Sequence, residues 1–133
     1  QRPTIMMAYF IKNLIYFSKC LLFQQLQLLL HAMSWASPCD TIVYSTCSIN
    51  DAENEGVVAK ALGRRPEWRL ARALPDWPRR GRAVEGVTPS EADELVRFDA
   101  ARDLSLGFFI ARFERGPRGG GGGGGGSGGS GGG

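Results

Sequence analysis

The sequence predicts one α/β domain. The prediction rests on two segments with the pattern of β-strands and on the helical patterns that surround the first of them. Residues 41–46 (TIVYST) are a short apolar run rich in β-branched side chains, with the length of a buried strand. Residues 107–115 (GFFIARFER) alternate between two faces and predict a second strand. Helical patterns precede and follow the first strand, an order typical of a parallel α/β sheet. The 133 residues suffice for one small domain.

The helix before the first strand is predicted over residues 23–35 (FQQLQLLLHAMSW). Its apolar side chains recur at helical spacing on one face. They are Leu26, Leu29, Leu30 and Met33. The apolar stretch at residues 5–30 is interrupted by Lys12 and Lys19, so it is interpreted as a buried or partner-facing helix and not as a membrane span.

The helix after the strand is predicted within DAENEGVVAKAL, residues 51–62. Asn50 and Glu53 have the spacing of a capping box, and Glu55 is expected to be exposed near the positive end of the helix. The predicted apolar face consists of Val57, Val58, Ala61 and Leu62.

The rest of the chain is less regular until the final strand. Residues 67–74 are interpreted as a strand or extended segment, and residues 83–105 as a long connection with a short helix at 90–97. One face of the final strand carries Phe109, Ala111 and Phe113. Residues 116–133 are predicted to be a disordered tail, because a Gly/Ser tract buries too little apolar area to offset its chain entropy.

Composition excludes several classes of protein. The net charge of +3 lies in the first 39 residues and forms no dense basic stripe, so charge alone does not predict nucleic-acid binding. Three cysteines and one histidine without metal-ligand spacing predict neither a metal site nor a disulfide scaffold, and sparse cysteines favour a reducing compartment. His31 is interpreted as a surface or core residue and not as a base.

A local basic cluster lies at residues 64–82, where seven arginines accompany two acidic residues. Trp68 and Trp77 lie within this cluster and could stack on bases while the arginines bind RNA phosphates. A solvated basic loop with two core tryptophans is an equally good interpretation. The candidate RNA-binding residues are Arg69, Arg72, Arg79 and Arg80.

Cys47 is the candidate nucleophile because of its position. It directly follows the predicted strand and precedes a helix, and ligands of open α/β sheets bind beyond the carboxyl ends of the strands. A thiolate is favoured near a helix N-terminus. The alternative is a small buried apolar residue without chemistry.

VYSTCSINDAENEGVVAKAL, followed by GFFIARFER, resembles the C-terminal part of the Nop/Sun RNA cytosine-5 methyltransferases. The intervening RLARALPDWPRRG is similar to the branch that methylates large-subunit ribosomal RNA. The resemblance covers residues 23–115. Residues 1–22 have no counterpart, and we predict that they are not part of the natural domain.

This resemblance implies a Rossmann-like, S-adenosylmethionine-dependent methyltransferase fold. It implies that Cys47, the cysteine of the TC motif, adds to carbon 6 of cytosine and makes carbon 5 nucleophilic. It further implies S-adenosylmethionine as cofactor, large-subunit rRNA as partner and the nucleolus as location, with no membrane and no metal.

The departures from the family pattern predict an incomplete enzyme. The glycine-rich donor loop, its acidic partners and the family's second cysteine have no candidates here, and Cys39 lies in the wrong place to replace that cysteine. Glu53, Asn54 and Glu55 could orient the nucleophile loop, although helix capping and solvent exposure are the preferred explanations.

The chain alone is therefore expected to be inactive and poorly folded, with the strand at 41–46 lacking its inner neighbour. The alternatives are a non-catalytic RNA-binding or ribosome-assembly module and a truncated gene-model product.

Overall fold

The computed structural model describes residues 5–10, 18–35, 40–103 and 106–118, with the backbone alone for 5–10 and 18–21. Five strands and three helices occur in these ranges. In chain order they are β1 (Ile5–Phe10), α1 (Ser18–Ser34), β2 (Thr41–Thr46), α2 (Glu55–Arg64), β3 (Trp68–Ala71), α3 (Pro89–Glu94), β4 (Val96–Phe98) and β5 (Phe108–Arg115).

The strands form one mixed sheet in the order β1-β2-β5-β3. β1 and β2 are parallel, whereas β5 runs antiparallel to β2, β3 and β4. β3 pairs with one half of β5 and β4 with the other half, so both lie along the same edge. The predicted α/β class is confirmed, but the expected parallel sheet is wrong because β5 is inserted between β2 and β3.

β2 has a neighbour on its inner side. Ile5 pairs with Thr41 and Phe10 with Thr46, so the whole length of β2 is matched by β1. The expectation of an unpaired edge at β2 is therefore wrong, as is the expectation that the apolar segment from residue 5 is helical throughout. The division of the chain at residues 22 and 115 stays a prediction.

The core lies between one face of the sheet and the helices α1 and α2. The predicted apolar faces of both helices and of β5 are buried, which confirms the helical and alternating patterns. Trp68 is fully buried, and its indole N–H donates to the carbonyl of Met33 at 3.0 Å, so this tryptophan belongs to the core and not to a stacking surface.

The sequence predicts a capping box at the start of α2, but the structure has one at the start of α3. α2 begins at Glu55, and its N-cap Asn54 makes no side-chain capping bond. The Asn50 side chain accepts from the Ala52 amide, and the Asn50 amide donates to the Ser48 hydroxyl, so the predicted box of Asn50 and Glu53 is replaced by other bonds. A capping box instead begins α3, where Thr88 accepts from the Glu91 amide and the Glu91 carboxylate accepts from the Thr88 amide.

The short helix predicted at 90–97 corresponds to α3, which ends at Glu94, and the strand β4 follows it where the helix was expected to continue. β3 ends at Ala71, earlier than predicted, and Leu74 adopts a positive φ of 39° in the turn that follows. No helix in the described ranges has the length and apolar character needed to cross a membrane.

Candidate active site

Cys47 lies at the carboxyl-terminal end of β2, as predicted. β1 ends at the same edge of the sheet, because Phe10 pairs in parallel with Thr46. The Cys47 thiol is half-buried and in no disulfide among the described residues. It therefore lies where open α/β sheets bind their ligands.

Asn54 braces the backbone on both sides of Cys47. Its side-chain nitrogen Nδ2 donates to the carbonyl of Ser48 at 2.8 Å, and its side-chain oxygen Oδ1 accepts a hydrogen bond from the hydroxyl of Thr46. The amide of Ser48 also donates to the Thr46 hydroxyl at 3.3 Å. Asn54 is fully buried, so it acts as a crosslink within the loop and not as a surface cap.

Glu53 also holds the loop that contains Cys47. Its carboxylate accepts a hydrogen bond from the hydroxyl of Ser48, and its carbonyl accepts one from the phenol of Tyr44 at 2.7 Å. Burial raises the pKa of the Tyr44 phenol, and the charge of Glu53 raises it further. The interpretation of Glu53 as a helix cap is wrong, because its side chain is directed at Ser48.

Glu55 is fully buried, so its predicted exposure is wrong. Arg97 of β4 binds it in a bidentate pair, with Nε to Oε1 at 2.6 Å and Nη2 to Oε2 at 2.5 Å. The amide of Arg82 also donates to Glu55, at 2.9 Å. Arg97 further reaches Asp51 at 2.8 Å and the carbonyl of Ile49 at 3.2 Å, so one guanidinium ties the loop that follows Cys47 to β4.

An arginine-lined cleft of about 540 Å³ lies beside this loop. Ile49, two residues after Cys47, forms part of its wall together with Phe98. Phe98 packs on Trp77 with ring centroids 4.3 Å apart. The cleft is lined by Arg79, Arg80, Arg82, Arg97 and Arg102.

Only some of the four predicted RNA-binding arginines line the cleft. Arg79 and Arg80 line the cleft, whereas Arg69 and Arg72 lie on two other surfaces. Arg69 lies 3.8 Å from Glu114, and Arg72 contacts Asp93 at 2.6 Å, a hydrogen bond that raises the pKa of Arg72. Arg72 and Arg80 nevertheless donate to the same Asp93 carbonyl, at 3.1 and 2.6 Å, so Arg69 is the one of the four that lies apart.

His31, Cys39 and the question of a metal site complete the comparison with the sequence. His31 is exposed and its ring contacts Trp35 edge to face, with centroids 5.8 Å apart. Cys39 lies outside the described residues. In the described ranges, no three potential metal ligands come together.

Sequence reasoning missed the roles of Arg82, Arg97 and Arg102. Arg82 belonged to the recognised basic cluster, so its charge was a usable signal. Arg97 and Arg102 lie in the stretch interpreted as a connection, and only the antiparallel pairing of β4 with β5 brings them to the cleft.

The family assignment follows from a family model, 16S rRNA methyltransferase RsmB/F, which matches residues 16–114. The chain belongs to this methyltransferase family. A 28S rRNA (cytosine-C5)-methyltransferase of Mus musculus is 43% identical over 94 residues, covering 70% of this chain and 19% of the mouse protein. A 25S rRNA (cytosine-C5)-methyltransferase of Schizosaccharomyces pombe is 36% identical over 90 residues, covering 65% of this chain and 19% of the yeast protein. The chain thus spans about a fifth of these relatives.

Solved structures share the fold. A methyltransferase homologue from Pyrococcus horikoshii superposes with a TM-score of 0.64 at 24% identity, covering 77% of this chain and 33% of the archaeal one. NSun6 from the same organism, solved with the S-adenosylmethionine analogue SFG, has a TM-score of 0.57 at 25% identity, covering 78% and 24% of the two chains. The Rossmann-like methyltransferase fold expected from the resemblance is therefore confirmed.

Proposed function

We propose that this chain is the nucleophile-bearing part of an RNA cytosine-C5 methyltransferase and that Cys47 is the nucleophile. The observation that carries the proposal is the loop geometry. Thr46 and Ser48, the two neighbours of Cys47, are held by the buried residues Asn54 and Glu53, while the thiol itself is half-buried. A loop built in this way supports one fixed side chain at a ligand-binding edge.

The chemistry needs a fixed thiol. The Cys47 sulfur, as thiolate, forms a bond to carbon 6 of cytosine, and the electron pair of the carbon 5–carbon 6 double bond moves toward carbon 5. Carbon 5 thereby becomes nucleophilic enough to accept a methyl group. A base then removes the proton of the methylated carbon 5, and the Cys47 thiolate leaves carbon 6. The double bond is thereby restored and the enzyme is freed, so the cysteine acts as a covalent catalyst.

S-adenosylmethionine supplies an electrophilic methyl group in such a reaction, but the described residues of this chain do not fit it. The sequence contains no glycine before Gly56, so the turn after β2 has none of the glycines with which nucleotide loops approach their ligands. The cleft beside Cys47 is lined by five arginines, which disfavour a positively charged sulfonium group. We propose that the donor binds to another part of the enzyme.

Large-subunit rRNA is the proposed substrate, because the mouse and yeast relatives are named for 28S and 25S rRNA. The proposed cellular location is the nucleolus, where large-subunit rRNA is made. The chain as it stands is proposed to lack methyltransferase activity, since it spans 19% of either relative.

The test places residues 23–115 of this chain in the mouse relative, in place of its matching segment. Cys47→Ala is expected to abolish methyl transfer to rRNA and the covalent adduct with RNA that contains 5-azacytidine. The adduct, seen as a shifted band on a denaturing gel, reports the sulfur–carbon bond directly.

Cys39→Ala is the control and is expected to leave both readouts intact. An adduct that persists in Cys47→Ala would assign the nucleophile to another residue. Loss of both readouts in Cys39→Ala as well would indicate damage to the fold and not to the chemistry.

A second function is favoured by the arginine cleft together with the poor fit to a methyl donor. In this alternative the chain is a non-catalytic RNA-binding module of ribosome assembly. The two functions differ in one measurement: the alternative requires RNA binding by the chain without any adduct at Cys47 in the intact enzyme.

A further inference from the structure

We infer that the arginine-lined cleft binds the sugar-phosphate backbone of RNA next to the target nucleotide, with Arg102 and Arg82 as its exposed phosphate ligands. The inference rests on the proposed function for its substrate class. Its location rests on the geometry of the cleft, which neither the family match nor the relatives assign.

The charges around the cleft are unevenly paired. Three of its five arginines form ion pairs: Arg79 with Asp103, Arg82 with Asp51, and Arg97 with Glu55 and Asp51. Arg80 donates only to backbone carbonyls, including those of Ala73, Leu74 and Trp77. Arg102 forms no ion pair within the described ranges, so two positive charges at the cleft have no bonded carboxylate.

Arg102 is presented by a rigid turn. The Asp99 carboxylate accepts from the amides of Ala101 at 2.8 Å and Arg102 at 3.3 Å, and these backbone bonds lower the pKa of Asp99. The Asp103 carboxylate accepts from the Asp99 amide at 2.6 Å. The nearby acidic groups therefore build the turn that displays the Arg102 side chain, which reduces the entropy lost when a ligand binds.

The cleft is joined to the nucleophile loop by direct contacts. Ile49 forms part of the cleft wall and is 72% exposed. Arg97, which also lines the cleft, donates to the Ile49 carbonyl. Gly107 has a φ of 81°, and a side chain there would meet the Ile49 side chain at 3.2 Å, so only glycine lets the loop approach β5 this closely. A chain lying in the cleft therefore contacts Ile49, two residues along the chain from Cys47.

Both the positive charge and the apolar wall of the cleft fit a nucleic acid. A guanidinium matches the geometry of a phosphate with two parallel hydrogen bonds. Phe98, resting on Trp77, and the exposed Ile49 give an apolar surface for a ribose or the face of a base. A phosphodiester chain uses both features, because its phosphates and its sugars alternate.

The experiment measures binding of a short fluorescein-labelled single-stranded RNA to the full chain by fluorescence anisotropy, over a series of salt concentrations. Arg102→Ala is the main variant, since this exposed side chain holds no other residue. Arg82→Ala tests the second ligand. Arg64→Ala is the matched control, because Arg64 is exposed at the far end of α2, roughly 13 Å along the helix from Glu55.

Arg102→Ala is expected to weaken binding and to reduce the slope of log K against log salt by about 0.7, the value of one phosphate contact on a single strand. Arg102→Glu is expected to weaken binding further. Arg64→Ala is expected to leave both the affinity and the slope unchanged. Arg82→Ala is expected to weaken binding less than Arg102→Ala, because Arg82 is already paired with Asp51.

Equal losses in Arg64→Ala and Arg102→Ala would overturn the inference in favour of diffuse surface charge. Absence of RNA binding by the full chain would also overturn it, as would stronger competition by an acidic peptide than by unlabelled RNA. The binding measurement involves neither methyl transfer nor adduct formation, so failure of this inference and failure of the nucleophile assignment are seen in different measurements.

Discussion

The helices α2 and α3 both begin with acidic and polar residues, but they use them differently. At α3, Thr88 is exposed and forms a capping box with Glu91 within its own helix. At α2, Glu53, Asn54 and Glu55 are all buried, and the N-cap Asn54 makes no capping bond. α3 therefore satisfies its own amides, whereas the start of α2 is built to hold the Cys47 loop.

The cost of the two arrangements is also different. The capping box at α3 is only partly buried: the Glu91 side chain is 15% exposed and pairs with Arg118 at 2.5 Å, so its desolvation is smaller than that of a fully buried carboxylate. A buried carboxylate such as Glu55 is tolerated only because Arg97 and the Arg82 amide satisfy it. The start of α2 therefore holds the Cys47 loop through fully buried groups, whereas the partly buried capping box of α3 serves its own helix.

Removal of the Glu55 carboxylate is expected to have the largest effect. Glu55→Ala leaves the Arg97 guanidinium, 12% exposed, without its bidentate partner and should lower the free energy of unfolding by about 3 kcal/mol. Denaturant titration measures the change. Glu67→Ala, which removes an exposed carboxylate 4.0 Å from Arg65, is the matched control and should cost less than about 1 kcal/mol. Similar losses in both variants would contradict the comparison.

Asn54→Ala comes next in size. It leaves the Ser48 carbonyl and the Thr46 hydroxyl without their buried partner, which should cost about 2 kcal/mol. The looser loop should also speed the alkylation of Cys47 by iodoacetamide, as measured by peptide mapping. Asn50→Ala serves as the control, because the exposed Asn50 side chain accepts from the Ala52 amide within its own turn and does not reach Thr46 or Ser48. An unchanged alkylation rate in Asn54→Ala would argue against bracing of the thiol.

Thr88→Ala tests the ordinary helix start. Loss of the capping oxygen should lower the free energy of unfolding by about 1 kcal/mol, and Thr88→Ser should restore most of it. Cys47 alkylation should not change in either variant. A faster alkylation in Thr88→Ala would mean that the two helix starts are coupled, and the distinction between them would fail.

The smallest expected effect is a dependence on pH at α3. The Arg118 guanidinium, followed by bonds from Thr88, lowers the pKa of Glu91 below its ordinary value near 4.5. A carboxylate with a lowered pKa in the folded state stabilises the protein above its ordinary pKa, and this contribution is lost as the pH falls through the folded value. Glu91→Gln should therefore flatten the decline of unfolding free energy below about pH 4.5. An unaltered pH profile in this variant would contradict the assignment.

Local patterns in the sequence determined the helices, the final strand and the place of Cys47. The apolar side chains of α1 and α2 recur every three or four residues, and those of β5 every second residue, so periodicity alone identified the buried faces. Cys47 was identifiable because a strand ends directly before it and because the surrounding motif is specific to one family of methyltransferases. These inferences needed only neighbouring residues.

Tertiary structure alone decided the burial of Glu53, Asn54 and Glu55. It also decided which arginines line the cleft. The partner of Glu55 is Arg97, 42 positions later, and no local pattern joins the two. Arg97 reaches Glu55 because β4 pairs with the first half of β5, and the order of strands in a sheet is set by long-range packing. An acidic residue at a helix start has a local explanation in the helix dipole, so sequence reasoning placed it in solvent. Only the sheet supplies the cation that makes its burial favourable.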